Sequence, residues 1–289
     1  MRLGITMFAT DRTMAAHELA VAAEERGFAS LYLPEHTHIP VSRATPAPAT
    51  HEASGAEPGM LRGVNGDETL PESYARALDP FVALAAAAAV TSTITLGTGV
   101  ALIAQREPLV TAKAIASLQH LSGGRFVLGI GYGWNVEEAA DHGVRWSLRR
   151  DLVRENVLAM RALWTDEVAS FKGEHVGFEP SWSWPKASVP VLLGGVGGPR
   201  LLAAIAEFGD GWMPVGGAGM RETLPKLAAA YEAAGRDPST ARIVPFGTLP
   251  NAAKLEYYAT LGVEEVVLRV NGGPREEILA TLDAYTAFL

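Results

Sequence analysis

Apolar residues along this chain form short continuous runs, separated by longer stretches where they recur three and four apart. The runs at 3–7 (LGITM), 30–34 (SLYLP), 94–103 (ITLGTGVALI), 125–130 (RFVLGI), 189–193 (VPVLL), 211–215 (GWMPV), 242–247 (RIVPFG) and 265–270 (EVVLRV) read as strands. Runs that are apolar on both faces are what a parallel sheet covered on both sides requires. Between them, helical spacing covers 13–26, 79–91, 108–121, 137–165 with a break at 143–147, 200–208, 221–234, 252–261 and 274–288. Asp79-Pro80 has the form of a helix cap followed by a first-turn proline, and Gly27 and Gly209 stand where helices end. A small hairpin is expected over 168–178 around Lys172-Gly173.

Eight strands, each followed by a helix, close into a (β/α)8 TIM barrel, an α/β fold with short right-handed connections. No composition shift divides residues 1–289, so one barrel domain is expected, with an insertion after the second strand. There, from 39 to 72, periodicity gives way to Pro, Ala, Gly, Ser and Thr. A gap of this length on the functional face reads as a lid. The unit from 94 to 135, a strand, a helix and a strand that ends in Gly131-Tyr132-Gly133, is read as one wall of a cofactor site.

Composition narrows the function. A net charge of −8 without a Lys/Arg cluster argues against nucleic acid, and zero cysteines remove disulfides, thiolate metal sites and a cysteine nucleophile. The longest apolar run, 81–90, is far short of a membrane span, and the first residues lack the pattern of a secretory signal, so a cytoplasmic setting is expected.

Barrel sites lie at the C-terminal ends of the strands. That places Glu35 and His36, the segment from Leu102 to Arg106, Tyr132 and Trp134, the loop from Gly194 to Gly198, and Trp212 around one mouth. His36 is the acid/base candidate, or else a hydrogen-bonding partner for a cofactor, and Glu35 orients it or accepts from a cofactor hydroxyl. Gly194–Gly198 precedes a helix, where free N–H groups and the helix dipole favour a phosphate. Tyr132, Trp134 and Trp212 wall a planar ring or pack the mouth. Glu137 and Glu138 favour a helix start. His36 and His38 without a third nearby ligand do not make a metal site. No Ser-His-Asp pattern, P-loop or HExxH is present.

Taken together and in order, LYLPEHTHIP (31–40), TLGTGVALIAQREPLVTAKAIASLQHLSGGRFVLGIGYGWNVEE (95–138), LVRENVLAMRALWT (152–165) and LLGGVGGPR with FGDGWMPVGG (192–217) resemble the luciferase-like monooxygenases, specifically the actinobacterial type that uses the deazaflavin F420. The resemblance implies a (β/α)8 barrel with a flavin-type ring over the third strand, and a non-prolyl cis peptide there at Gly99-Val100, next to Ala101 and Leu102. It further implies contacts from Glu35 and His36 to the deazaflavin, and the cofactor's phosphate tail near Gly131, Tyr132, Gly133, Gly194 and Gly195. Trp134 stands where the family's sugar-phosphate dehydrogenases carry an acidic glutamate, which argues against that substrate. The reaction implied is hydride transfer between F420 and a small organic substrate. The alternatives are FMN with oxygen and a partner reductase, or a non-catalytic flavin-binding barrel. A homodimer is a common state in the family.

Overall fold

A computed structural model describes residues 1–46, 60–62, 69–217 and 219–289. In chain order the elements are β1 (Arg2–Thr6), α1 (Ala16–Glu25), β2 (Ser30–Leu33), β3 (Met60–Arg62), β4 (Thr69–Pro71), α2 (Ser73–Arg76), α3 (Pro80–Ala88), β5 (Thr95–Thr98), α4 (Pro108–Leu121), β6 (Phe126–Ile130), α5 (Val136–Asp141) and α6 (Arg149–Thr165). They continue with β7 (Ala169–Lys172), β8 (Gly177–Ser181), β9 (Val191–Gly194), α7 (Pro199–Phe208), β10 (Gly211–Met213), α8 (Met220–Ala233), β11 (Arg242–Ile243), β12 (Phe246–Thr248), α9 (Ala252–Thr260), β13 (Glu265–Arg269) and α10 (Arg275–Tyr285).

The large sheet runs β11-β10-β9-β6-β5-β2-β1-β13-β12, and its pairings are parallel. Its two ends, β11 and β12, are consecutive segments of one extended stretch. Val244 N–H donates to Trp212 C=O on one side, and Val267 N–H donates to Pro245 C=O on the other. The sheet therefore closes on itself into the barrel expected from the apolar runs. The seventh strand, expected as one piece over 242–247, is divided because Pro245 has no N–H to give its neighbour.

Alternation along the strands divides the interior into two shells. Leu31 and Leu33 face the helices, while Tyr32 between them points into the barrel. Inside, Tyr32, Val127, Leu192, Met213, Val244 and Val267 fill the lumen, with Val100 and Phe246 packed on top of them. A Cβ at Gly97 would collide with the Tyr32 ring, and one at Gly99 with the Phe246 ring. Those two glycines make room for large inward side chains. Glu265 holds the opposite end of the barrel: it accepts from Ser30 Oγ at 2.7 Å and pairs with Arg2 at 3.0 Å.

Helix starts follow the sequence closely. Asp79 accepts from the N–H groups of Phe81 and Val82, and Glu107 from those of Leu109 and Val110, each ahead of a first-turn proline. The third strand departs from its expected extent of 94–103. Regular pairing stops at Thr98, the Gly99–Val100 peptide is cis as the resemblance implied, pairing resumes for one bridge at Ala101, and a 3-10 turn covers Ile103–Gln105.

Of the lid expected over 39–72, residues 47–59 and 63–68 lie outside the described residues. The described part contains the antiparallel pair β3–β4, and the single turn α2 follows directly after it, elements too short to leave a periodic signal. No helix among the described residues is long and apolar enough to cross a membrane.

Candidate active site at the barrel mouth

The centre of the mouth is floored by Val100. Ideal Cβ atoms at Gly131 and Gly194 would lie 2.6 and 2.9 Å from its methyl groups. Both glycines therefore clear space for one side chain, which packs against the inner shell. This gives two of the glycines expected near a cofactor tail a packing duty. Ala101 and Leu102, further along, are buried, and Gly131 N–H donates to Ala101 C=O at 3.0 Å, tying the two strand ends together.

On one side of the floor stands Glu35, 4% exposed. One carboxylate oxygen accepts from Leu102 N–H at 2.7 Å and the other from Arg106 Nε at 2.7 Å. Arg106 reaches on to Asp79 at 2.6 Å, so the cap of α3, the loop after β5 and the end of β2 are locked together. Burial disfavours the Arg106 cation, but Glu35 and Asp79 outweigh it and raise its affinity for the proton above the ordinary arginine value.

His36, next in sequence, points elsewhere. Its Nδ1 lies 2.8 Å from Glu138 Oε2, and Trp134 Nε1 donates to its Nε2 at 3.3 Å. An indole N–H is only a donor, so Nε2 is the acceptor and the ring proton sits on Nδ1, facing Glu138. Glu138 is 1% exposed, and its other oxygen accepts from Thr37 N–H at 3.2 Å. A carboxylate this deeply buried needs such partners. Tyr74 of α2 covers the imidazole at 5.1 Å between ring centres, and Phe8 packs on Tyr74 at 4.7 Å. Outside this group, Thr37 Oγ1 contacts His142 Nε2 at 2.6 Å and His38 Nε2 contacts Asp141 at 2.9 Å. Thr45 and Ala44 bind Glu137. Helix α5 is thus fastened along its length to residues 37–45.

The opposite rim is cationic. Arg150 lies over the Tyr132 ring at 4.2 Å, and Arg149 over Trp146 at 3.8 Å. Burial pushes the Tyr132 hydroxyl up, against the pull of Arg150. Gly133 (φ 74°) and Gly195 (φ 135°) occupy backbone conformations that favour glycine. Trp212 is 1% exposed and lies beneath the Gly194–Gly198 loop, where its indole donates to Gly195 C=O at 2.8 Å. It supports the loop from below, and its ring does not line the mouth. Among the described residues no group of three or more His, Cys, Asp or Glu forms a metal site.

The structure thus brings Glu35, His36, Val100, Gly131, Tyr132, Trp134 and Gly194 to one mouth. Sequence reasoning missed Glu138 and Tyr74. Asn135-x-x-Glu138 has the form of a capping box, and Asn135 does cap α5 by accepting from Glu138 N–H at 3.1 Å. The glutamate side chain, however, turns to His36 and Thr37 instead of back to Asn135.

A model of the family described as Luciferase-like monooxygenase matches residues 4–254. An uncharacterised protein of Mycobacterium tuberculosis is 41% identical over 294 residues, spanning 100% of this chain and 99% of its own length. The F420-dependent hydroxymycolic acid dehydrogenase of the same species is 30% identical over 226 residues, 72% of this chain and 62% of that protein. Among solved structures, the monooxygenase RslO1 from Streptomyces bottropensis superposes with a TM-score of 0.73 over 100% of this chain and 98% of its own, at 22% identity. At that identity the likeness is one of fold.

Proposed function

Because the chain belongs to the luciferase-like monooxygenase family, we propose that it is an F420-dependent oxidoreductase that moves a hydride between the deazaflavin and a small organic substrate. The observation that carries this reading is the buried His36–Glu138 pair beside the Val100 floor. The F420 dependence of the hydroxymycolic acid dehydrogenase supports it.

The residues at the mouth fit such a cofactor. Val100 offers an apolar floor for a planar ring, while Arg149, Arg150 and the Gly194–Gly198 loop at the start of α7 suit an anionic tail. Buried polar atoms with no partner, Gln105 Oε1, Asn135 Nδ2 and Arg149 Nε, are free to bond to a ligand. A bound deazaflavin supplies a hydride acceptor or donor.

The chain's own residues do the rest. His36 takes the proton from a substrate hydroxyl on Nε2, or returns it in the reverse direction, when the substrate oxygen replaces the Trp134 N–H. Glu138 holds the Nδ1–H tautomer and stabilises the imidazolium that forms, as a buried carboxylate does for a triad histidine. Glu35, with both oxygens engaged, fixes Leu102 and the loop behind the floor. Tyr74 and Trp134 exclude water around the reacting centre.

The same floor accepts a flavin of similar outline, so FMN with oxygen and a partner reductase is the second reading. Parallel fluorescence titrations with F420 and FMN decide between them. Saturable micromolar binding of F420 alone is expected; preference for FMN moves the protein to the oxygen-using branch, and binding of neither by folded protein defeats both readings.

A cytoplasmic homodimer is part of the proposal. Val82 (72% exposed), Leu109 (40%) and Val110 (69%) start the neighbouring helices α3 and α4, which supports an apolar face for a second copy.

A further inference from the structure

Charge is distributed unevenly around the mouth. On the Tyr132 side, Arg149 and Arg150 lie over Trp146 and Tyr132 and have no carboxylate partner among the described residues. On the His36 side, each nearby arginine among the described residues already has carboxylates or other partners. Arg106 pairs with Glu35 and Asp79, Arg12 with Glu72 at 2.9 Å, and Arg76 with Asp11 and Glu72, each at 2.7 Å. Arg43 is engaged as well.

Apart from Glu138 on Nδ1, the described groups against the imidazole are aromatic. Tyr74 lies 5.1 Å from His36 and 6.4 Å from Trp134, with Trp134 itself 5.7 Å from His36. Tyr74 is 4% exposed, and its position is set from outside by backbone and ion pairs to the loop after β1: Leu78 N–H donates to Ala9 C=O, and Arg76 grips Asp11. A substrate oxygen that reaches Nε2 of His36 therefore brings its carbon body against Tyr74 and Trp134. Those rings reward apolar area, and among the described residues no arginine lacking a partner stands beside them to hold a second anionic group.

We propose that Tyr74 is a specificity-determining residue that, with Trp134, selects neutral substrates whose hydroxyl or carbonyl sits on an apolar body, and rejects anionic substrates of the same shape. This rests on the reading of His36 as the proton-transfer group of an F420 enzyme. The reaction it selects is oxidation of a secondary alcohol: the C–H hydride goes to the deazaflavin, the O–H proton to His36, and the C–O bond becomes a carbonyl. Reduction of a ketone is the reverse.

A matched pair of probes tests it, since 1-phenylethanol and mandelate differ in a methyl group against a carboxylate. Binding of each to the F420-loaded protein is measured by titration calorimetry, and F420 reduction is followed in parallel. The wild type is expected to bind 1-phenylethanol at least about tenfold more tightly than mandelate. Tyr74→Ala should reduce that ratio by about tenfold with F420 affinity unchanged, while Tyr74→Phe preserves it. Tyr74→Gln, which keeps much of the volume and places a polar group there, serves if the alanine variant fails to fold. Equal or tighter binding of mandelate, a ratio indifferent to Tyr74, or binding of neither probe by F420-loaded protein overturns the proposal. Failure of F420 itself to bind folded protein defeats the functional reading instead, and this inference with it.

Discussion

His36 Nδ1 and Glu138 Oε2 meet at 2.8 Å across 102 residues of sequence. The contact joins the loop after β2 to the first turn of α5, and it leaves Nε2 as the one ring nitrogen able to exchange a proton with a substrate. Replacing Glu138 by Gln keeps the shape and removes the charge. Turnover is expected to fall by about a hundredfold or more, with KM and F420 affinity little changed, and Glu138→Asp should recover part of the rate. Steady-state kinetics across pH on the three proteins checks this; an unchanged kcat in Glu138→Gln removes the pair from the chemistry.

Gly131 and Gly194 are glycine because Val100 occupies the space their side chains would need. Gly131→Ala should cost about 1–3 kcal/mol of stability by overpacking and weaken F420 binding. Adding Val100→Ala should restore much of the stability, because the contact is with the valine methyl. Thermal melts and F420 titrations of the single and double variants show whether the two sites couple.

Trp212 supports the glycine loop through one hydrogen bond to Gly195 C=O at 2.8 Å. Trp212→Phe keeps most of the apolar volume and removes the donor. Cofactor affinity should drop about fivefold, corresponding to about 1 kcal/mol. Unchanged F420 affinity in a variant of unchanged stability shows that the loop does not depend on this support.

Glu24, in the last turn of α1, gathers the N–H groups of Ser92, Thr93 and Ile94. Burial works against its charge, but the N–H donors from Ile94, Thr93 and Ser92 together outweigh it and hold its pKa down to about 2 from 4.5. A depressed folded-state pKa contributes stability that is fully present above pH 4.5 and is lost as pH falls toward 2. The melting-temperature difference between wild type and Glu24→Gln should therefore be constant near neutrality and shrink below pH 4.5. A gap that persists unchanged at pH 3 contradicts it.

Val110 is 69% exposed on α4, and the neighbouring helix α3 exposes Val82 near its start. If a second copy covers this face, Val110→Asp should shift sedimentation from dimer toward monomer without altering the far-ultraviolet spectrum. A wild type that sediments as a monomer at all concentrations removes the homodimer from the proposal.

The sequence by itself determined the barrel. Eight apolar runs divided by helical spacing leave one closed solution, and α4 begins and ends where Glu107-Pro108 and the glycines after Leu121 place it. These signals are local, because capping, periodicity and the missing N–H of proline act within a few residues. Family motifs also marked His36, Trp134 and the cis peptide at Gly99–Val100. Only the tertiary structure decided what each of these residues touches. Adjacent in sequence, Glu35 and His36 part at the strand end: Glu35 is taken up by Leu102 and Arg106, His36 by Glu138. Glu138 reads locally as a capping-box glutamate, and its true partner arrives from the loop after β2. The mouth glycines Gly131 and Gly194 read as ligand contacts, and only the fold shows that Val100 packs against both. In each case burial sets the outcome: a carboxylate or a methyl group enclosed by the barrel must find its partner or its space across the fold, and the chain's local pattern carries no record of which one.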